Sequence, residues 1–147
     1  MFMNSVKKTS HNQLLIYGVI VASIFFVLFF FYTTRTPFFG YKTTFYSING
    51  KKYHLLVADT PKKQEQGLMH VRKLENFDGM LFQLPRSGTQ YFWNRNTFLN
   101  LQIYWINGES VMGITELPSI EKSEELVILS SPHSVDKVIE IVKKDIR

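Results

Sequence analysis

Cysteine is absent from this chain of 147 residues. Its absence excludes disulfide bonds, thiol catalysis, cysteine metal sites and a lipoprotein anchor. Acidic residues are absent from the first 58 positions, so all 12 of them lie in the rest of the chain. Residues 35–147 carry 15 basic and 12 acidic residues, a net charge of +3. This balance is typical of a mixed surface, and the sequence predicts no nucleic-acid partner.

The motifs of the common catalytic and metal sites are absent as well. His54, His70 and His133 are too widely spaced to predict a metal site. No serine lies in the surroundings typical of a nucleophile, and no glycine-rich phosphate loop is present. The sequence therefore predicts no metal and no cofactor, and it identifies no catalytic set of residues.

An uncharged apolar run over residues 14–32 is the longest hydrophobic segment. As a helix, its 19 residues span about 28 Å, close to a bilayer core of roughly 30 Å. Tyr17 and Tyr32 lie near its two ends, where amphipathic rings favour the membrane interface. The run predicts a single transmembrane helix, with the membrane as its partner.

The residues that flank this run set its predicted orientation. Lys7, Lys8 and His11 precede it and Arg35 and Lys42 follow it, a small bias toward a cytoplasmic amino terminus. A cleaved signal peptide is the alternative, but the run is longer than the usual signal core and no Ala-x-Ala site follows it. We predict a cytoplasmic tail (1–13), a transmembrane helix (14–32), a juxtamembrane linker (33–42) and an extracytoplasmic β-rich soluble domain (43–147).

Turn signals divide the soluble part into short strands. Asn49-Gly50 lies between Lys42–Ile48 and Lys51–Ala58, and Asn107-Gly108 precedes Ser110–Leu117; both pairs tolerate positive φ and predict hairpins. Other predicted elements are a buried strand over 79–84, a turn over 85–88, an acidic loop over 118–125 and a short strand over 126–129. About eight strands and one short helix predict a mainly β fold, a compact antiparallel β-sandwich or small barrel.

The one predicted helix has a clear start and a clear end. Asp59-Thr60-Pro61 places a capping side chain before a proline, which is favoured at the first helical position. The helix then covers Pro61–Gln66 and ends at Gly67. Asp59 and Thr60 are therefore predicted to have a structural, capping role.

The segment over residues 135–146 fits two kinds of structure. Its apolar residues have helical spacing, which predicts an amphipathic helix. Its β-branched run over 138–142 predicts a strand instead. The residues alone leave both alternatives open.

The stretch over residues 91–106 contains both tryptophans of the chain. From residue 99 onward an apolar face alternates with a mixed face, and this period of two predicts a strand. We interpret the whole stretch as the central strand of the domain, on which Tyr91, Trp93 and Arg95 share one side.

A polar string within this stretch provides the candidate ligand-binding site. The guanidinium of Arg95 offers a planar fork of donors to carboxylate or phosphate, and the flat rings of Tyr91 and Trp93 suit a sugar or a base. A structural role is the alternative, in which the string satisfies backbone groups and Arg95 pairs with Asp59 or Glu116. The candidate residues are Tyr91, Trp93, Asn94, Arg95, Asn96, Thr97 and Gln102.

Four ordered blocks of the sequence resemble the signatures of a known family. They are Val57-Ala58-Asp59-Thr60-Pro61, Gly67-Leu68-Met69, Gly79-Met80-Leu81-Phe82 and Phe92-Trp93-Asn94-Arg95-Asn96-Thr97. Over residues 43–142 the chain is similar to the prokaryotic domain-of-unknown-function family 192. The resemblance implies a compact, mostly β domain, often exported behind a signal sequence or an anchor. It favours a strand over 138–142 and implies no established activity.

Two departures from the family pattern lie in the candidate site. The family's usual Phe-Trp-Met-Lys-Asn-Thr has Asn94 and Arg95 at its third and fourth positions here, so the positive charge survives as arginine. The usual Pro-Leu-Asp-Ile has Gln102 in place of its aspartate. A family mechanism that needs a carboxylate at that position has none in this chain.

Two functional hypotheses follow. The first, which assumes less, is a membrane-anchored binding or accessory module of the cell envelope for an anionic or sugar-like ligand or a partner protein. The second is a small envelope enzyme that acts on a glycan-like polar substrate. A general acid or base for such an enzyme is available among the carboxylates near the signatures, Asp59, Asp78 and Glu116.

Overall fold

The computed structural model describes residues 6–35 and 38–143, which belong to two units that meet in sequence between Gly40 and Tyr41. The first unit contains one long helix, and the second contains every strand that the described residues form. The predicted tail over 1–13, the predicted linker over 33–42 and the end of the segment 135–146 fall partly outside the described residues.

The first unit is the helix α1 (Val6–Arg35), which includes the whole of the apolar run. Its window Gln13–Phe30 is long and apolar enough to cross a membrane, and none of this window is buried. A signal sequence near an amino terminus has the same properties. The chain thus has one apolar amino-terminal helix with the character of a membrane anchor or a signal sequence.

The second unit is mainly β, as the sequence predicts. Eight strands and two short helices follow one another along the chain. They are β1 (Lys42–Ile48), β2 (Lys51–Ala58), α2 (Pro61–Gln66), β3 (Gly79–Gly88), β4 (Tyr91–Trp93), β5 (Leu101–Asn107), β6 (Ser110–Leu117), α3 (Ile120–Ser123), β7 (Ile128–Ser130) and β8 (Val135–Val142).

Six of these strands form one sheet in the order β1-β2-β3-β8-β5-β6, and β4 and β7 form a small sheet of their own. The pairs are antiparallel except β2–β3, which is parallel and is connected through α2. The strand β8 therefore lies in the middle of the large sheet, although it follows all the others in sequence.

The large sheet curls around a core on one of its faces. Ile48 and Tyr53 from the β1–β2 hairpin belong to the same buried cluster as Tyr104 and Ile106 from β5, although these strands lie far apart in the sheet. The central strands contribute Ile139 and its neighbours to the same cluster. One apolar core therefore extends across this face from the β1–β2 hairpin to β5.

The small sheet covers the opposite face of the large one. The ring of Phe92 meets Phe82 and Trp105 edge to face, with ring centroids 4.9 Å and 5.6 Å apart. Such contacts add about 0.5–1.5 kcal/mol per pair beyond the area they bury. They fix β4 above β3 and β5.

The two predicted hairpins and the predicted helix α2 are present in the structure. Asn49 and Gly50 have φ of 50° and 79° and connect β1 to β2 at the predicted residues. The second hairpin turns one residue later than predicted, because Asn107 still pairs with Ser110. The segment 135–142 is a strand, as the family resemblance implies, and the short strand predicted over 126–129 occupies Ile128–Ser130 instead.

The prediction of one continuous strand over 91–106 is wrong. The strand β4 ends at Trp93 and β5 begins at Leu101, and the two belong to different sheets. The connecting residues include Asn96 with a φ of 53°, which no strand accommodates. Arg95 therefore does not share a strand face with Tyr91 and Trp93.

Two smaller predictions are also wrong. The turn predicted over 85–88 belongs to β3, which continues to Gly88 through a shift of register after Gln83. The loop predicted over 118–125 contains the helix α3, whose first amides are capped by the Ser119 hydroxyl at 3.2 Å from the Lys122 nitrogen. Serine at the N-cap stabilises even a short helix, so the domain has two short helices rather than one.

Candidate functional site

Asn94 is the structural centre of the polar string. Its side-chain nitrogen donates to the Pro118 carbonyl at 3.1 Å and to the Ser123 hydroxyl at 2.8 Å, and its side-chain oxygen accepts from the Val127 amide at 2.9 Å. The residue is fully buried. Because its hydrogen-bonding groups are occupied within the fold, Asn94 connects the end of β4 to β7 and to the start and end of α3.

The residues after Asn94 divide between a buried and an exposed set. Thr97 is buried, donates its amide hydrogen to the Asn94 carbonyl at 3.0 Å and accepts one from the Ile120 amide at 2.9 Å. The carbonyl of Asn96 accepts from the His70 amide at 2.8 Å. Arg95 and Asn96 themselves are exposed. The buried members of the string therefore hold the loop in place. Arg95 does not share a pocket with Tyr91 and Trp93.

Gln102 lies apart from the other candidate residues. It faces the same side of β5 as Tyr104, whose hydroxyl donates to the Gln102 side-chain oxygen at 2.7 Å. Trp105, which contacts the small sheet through Phe92, lies on the opposite face of β5. The structure does not bring Gln102 together with Tyr91 and Trp93.

Thr60 and Asp59 differ in what they do at the start of α2. Thr60 is the N-cap residue, and its hydroxyl lies 3.4 Å from the Lys63 amide. The Asp59 carboxylate instead binds the ammonium groups of Lys42 at 2.8 Å and Lys63 at 2.7 Å. Hydrogen bonds from Lys42 and then Lys63 lower the pKa of Asp59 to about 2.

A cavity of about 230 Å³ lies beside the small sheet. It is bounded by the end of α2 and the turn after it, by β3, and by β4 with the residue that precedes it. Its lining includes amide, hydroxyl, aromatic and carboxyl side chains, among them Gln66, Gln90, Thr97, Tyr91, Trp93 and Glu140. Three of the predicted site residues, Tyr91, Trp93 and Thr97, therefore line one cavity.

The two aromatic rings lie at the mouth of this cavity. Tyr91 is 62% exposed and Trp93 is 42% exposed, although both residues line the cavity. Across the small sheet Trp93 pairs with Ile128, which is also exposed but does not line the cavity. Large apolar rings that remain accessible beside a concave surface are a common feature of binding sites.

The carboxyl group of Glu140 lies in the same cavity and is only 5% exposed. Its cross-strand neighbours are Met80 and Ile103, both fully buried. Its Oε2 atom has no hydrogen-bond partner in the described part of the chain. Burial raises the pKa of Glu140 to about 8, so the group carries its proton at neutral pH.

Sequence reasoning did not identify Glu140 as a site residue. In the sequence, Glu140 is a lone carboxylate within the β-branched run over 138–142, a run that bears on strand against helix and on the family resemblance but predicts no site. A charged residue on a strand that is buried on both faces is rare unless it is paired or functional. That conflict between residue type and position is the sequence feature that points to the site.

The three carboxylates predicted as acids or bases are engaged elsewhere. Asp59 binds two lysines, and Asp78 accepts from the His54 amide at 2.9 Å. Glu116 binds Lys143 at 2.6 Å, and this hydrogen bond is the main reason that its pKa is lowered. None of the three lines the cavity beside Tyr91 and Trp93.

Two residues with a carboxyl group line this cavity. They are Glu65 and Glu140, and neither lysine nor arginine contributes to its lining among the described residues. Across residues 6–35 and 38–143, no three histidine or acidic side chains lie close enough to hold a metal ion. The site thus offers rings, neutral hydrogen-bonding groups and a buried acid.

Comparisons with known proteins identify the family of the β domain. A family model described as DUF192, Uncharacterized ACR, matches residues 44–147. A Sinorhizobium meliloti protein, proposed to be a transcription regulator, has a similar structure with a TM-score of 0.54 and 27% identity over 69% of this chain and 79% of that one.

A second solved structure, of a Novosphingobium aromaticivorans protein of unknown function, has a TM-score of 0.52. It is 21% identical over 74% of this chain and 86% of its own, a likeness that shows the fold alone. No curated protein matches the chain significantly.

Proposed function

This chain belongs to the uncharacterised DUF192 family, and we propose that its β domain binds a small, uncharged, sugar-like ligand in the cavity beside Tyr91 and Trp93. In this proposal the protein is a binding or accessory module rather than an enzyme. The observation that carries the proposal is the pair of exposed aromatic rings at the mouth of a cavity with a polar lining.

The rings support a ligand with a flat, weakly polar face. A sugar ring presents C–H groups on one face and hydroxyl groups at its edge, and it stacks on indole or phenol through that face. Tyr91 and Trp93 alternate with Phe92 along β4, so both project away from the Phe92 contacts that hold the strand in place. The strand can therefore present the two rings without losing its own packing.

The lining supports a neutral ligand over an anionic one. The amides of Gln66 and Gln90 and the hydroxyl of Thr97 are neutral groups of the kind that recognise sugar hydroxyls. Glu65 adds a negative charge that repels anions, and Arg95 is not part of the lining. The anionic ligand considered from the sequence therefore has less support than the sugar-like one.

The size of the cavity supports a single ring. Its volume of about 230 Å³ lies below the range of roughly 300–1,000 Å³ that is usual for drug-sized ligands. One monosaccharide, or the terminal unit of a longer glycan that projects past Tyr91 and Trp93, matches this volume and the open mouth.

A binding experiment on the full chain tests the proposal. The protein is solubilised in a detergent without a sugar headgroup and titrated calorimetrically with N-acetylglucosamine. We expect Trp93→Ala and Tyr91→Ala each to weaken binding by about five- to 150-fold, because stacking on such rings contributes about 1–3 kcal/mol. Both variants should melt near the wild-type temperature, because the two side chains are exposed.

Two control variants sharpen this experiment. Ile128→Ala removes an exposed apolar side chain directly opposite Trp93 that does not line the cavity, and it should bind as the wild type does. Arg95→Ala should also retain binding, because Arg95 is exposed and lies outside the lining. Loss of binding in either control, with Trp93→Ala unaffected, would contradict the proposed location of the site.

The proposed setting is the cell envelope, with α1 as an uncleaved single-pass anchor and the domain on the extracytoplasmic side. Support comes from the length of the apolar helix and from Lys7 and Lys8 ahead of it. Protease added to intact protoplasts should then digest the β domain and leave a membrane-bound fragment. Digestion that requires prior lysis would place the domain on the cytoplasmic side.

A glycan-acting envelope enzyme is the second candidate, and Glu140 is the observation that favours it. A buried carboxyl group that carries its proton at neutral pH has the state required of a general acid. Release of reducing ends from chitin-derived oligosaccharides by the full chain would support this candidate. Glu140→Gln should then abolish turnover, and binding without turnover by the wild type would leave the protein as a binding module.

A further inference from the structure

We infer that Glu140 is the recognition group of this cavity and that its neutral carboxyl donates a hydrogen bond to an uncharged oxygen of the ligand, a hydroxyl or an amide carbonyl. The inference rests on the proposed function, because it names the group that a sugar-like ligand meets inside the cavity. It also defines the ligand further, as an acceptor without a charge.

The neighbours of Glu140 within the sheet are apolar, and the cavity is the polar surrounding of its side chain. β8 lies between β3 and β5, and the residues paired with Glu140 on these strands are Met80 and Ile103. Val138, two residues earlier on the same face of β8, is fully buried as well. The sheet thus surrounds the carboxyl group with apolar side chains, and the cavity is where it meets polar groups.

The fold does not satisfy this carboxyl group by itself. Its Oε2 atom is buried and has no hydrogen-bond partner among the described residues, whereas the buried Asn94 has both of its side-chain polar atoms bonded. Buried polar groups are normally paired, and exceptions are concentrated at functional sites. Glu140 lines the cavity, so a ligand there would lie beside this unpaired group.

The surroundings determine that this group donates rather than accepts. The titratable groups that line the cavity from the packed elements are Glu65 at the end of α2 and Tyr91 on β4, and neither is a cation. No lysine or arginine in the described lining stabilises a carboxylate there. Desolvation therefore holds the group in its protonated form, and a protonated carboxyl is a strong hydrogen-bond donor.

Three monosaccharides of one ring size test the inference on the full chain in a sugar-free detergent. N-acetylglucosamine is neutral, glucosamine is cationic and glucuronate is anionic. We expect N-acetylglucosamine to bind best at about pH 6 and roughly tenfold more weakly at about pH 9, because only about a tenth of Glu140 is protonated one unit above its pKa. Glucuronate should bind more weakly than N-acetylglucosamine at both values.

Two variants separate the hydrogen bond from the shape of the side chain. Glu140→Gln donates from an amide at any pH, so it should keep wild-type affinity within about threefold and lose the pH dependence. Glu140→Met has a similar length and no donor, so it should bind about tenfold more weakly than the wild type at about pH 6. The melting temperature of each variant is measured in parallel to exclude unfolding.

Failure of the inference and failure of the proposed function give different binding results. If the wild type binds N-acetylglucosamine and Trp93→Ala does not, but Glu140→Met binds equally well, the inference is wrong and the proposed function stands. Tighter binding of glucosamine than of N-acetylglucosamine at about pH 6, where its amine is an ammonium, would overturn the inference in favour of a carboxylate–ammonium pair. If none of the three sugars binds the wild type, the proposed function and the inference fail together.

Direct titration of the carboxyl group provides a readout without any ligand. The protein is labelled with ¹³C at the glutamate carboxyl groups. The resonance of Glu140 is then identified as the one that is present in the wild type and absent from Glu140→Gln. We expect its resonance to titrate well above the other glutamates and to shift to still higher pH when N-acetylglucosamine is present, because the ligand stabilises the donor form. Titration near the ordinary value of about 4.3 would overturn the inference.

Discussion

The side-chain oxygen of Asn94 accepts the backbone hydrogen of Val127 at 2.9 Å, and the Val127 carbonyl accepts the backbone hydrogen of Asn94 at 3.2 Å. The two hydrogen bonds of Asn94 with Val127 therefore extend the pairing of β4 and β7 by one residue beyond its end. The side-chain nitrogen of Asn94 extends the connection to the two ends of α3 through Pro118 and Ser123. The loop that follows β4 is held by this single side chain.

Replacing Asn94 should destabilise the domain far more than replacing the exposed residue beside it. Asn94→Ala leaves the Val127 amide, the Pro118 carbonyl and the Ser123 hydroxyl with one partner fewer, and each buried group that stays unsatisfied costs about 1–3 kcal/mol. We expect a loss of about 3 kcal/mol in urea unfolding. Arg95→Ala should change the unfolding free energy by less than about 0.5 kcal/mol. The reverse order would mean that the charge, not the amide, holds the loop.

Gly79 should not tolerate any side chain. A Cβ atom there would lie 1.8 Å from the carbonyl oxygen of Glu140 on the neighbouring strand, so β3 and β8 would have to separate. We expect Gly79→Ala to cost more than about 3 kcal/mol in the free energy of unfolding, at the upper end for overpacked cores. Gly88→Ala is the control in the same strand, because its nearest neighbour is a side-chain atom at 3.9 Å. Equal stability of the two variants would contradict the close strand approach.

Local signals in the sequence predict the hairpins and α2 because the determinants are local. Asn49-Gly50 adopts positive φ at low cost, and Thr60, Pro61 and Gly67 mark the two ends of α2 through capping and backbone preference. These residues act within a few positions of themselves. The mainly β class and the family follow from such signals together with the four sequence blocks.

Long-range relationships in this fold could not be predicted from the same signals. The break between β4 and β5 depends on Asn94, whose partners Pro118 and Val127 lie 24 and 33 residues away in sequence. The position of β8 between β3 and β5 is equally non-local. Glu140 becomes a cavity residue only because of that position, and the sequence shows no more than a lone carboxylate within a β-branched run.

The stability of the domain should depend on pH through Glu140. The group has a pKa raised from 4.5 to about 8 in the folded state, so the folded protein keeps a proton that the unfolded chain loses. Stability contributed by this proton is therefore present below about pH 4.5 and is lost as pH rises toward about 8. The loss is at most about 5 kcal/mol, at 1.36 kcal/mol per pKa unit.

Comparison with Glu140→Gln isolates this effect from the other titrating groups. The variant should be more stable than the wild type by an amount that grows between about pH 5 and about pH 8 and then becomes constant. Urea unfolding at several pH values measures the difference. A difference that is independent of pH would show that Glu140 titrates normally.

Asp59 should produce the opposite dependence at lower pH. Its pKa is lowered from 3.8 to about 2 by hydrogen bonds from Lys42 and Lys63, so the stability that it contributes is present above pH 3.8 and is lost as pH falls toward about 2. Asp59→Asn should therefore melt below the wild type at neutral pH, and the two melting temperatures should converge in acid.

An exposed ion pair provides the control for Asp59. Glu75 binds Lys73 at 2.9 Å, and the hydrogen bond from Lys73 lowers its pKa, but both side chains are largely exposed to solvent. Exposed pairs contribute little because water screens them, so Glu75→Gln should melt as the wild type does at every pH. A larger effect at Glu75 than at Asp59 would contradict the argument from solvent screening.

The central place of β8 has a consequence for the order in which the domain is made. The ribosome releases β1, β2, β3, β5 and β6 before β8, the strand that joins β3 to β5. Until β8 is made, β3 and β5 each have an unpaired edge. Pairings of such long sequence separation form slowly, and open edges attract other chains in the meantime. The edges of β3 and β5 that pair with β8 therefore stay open until the last strand of the sheet is made.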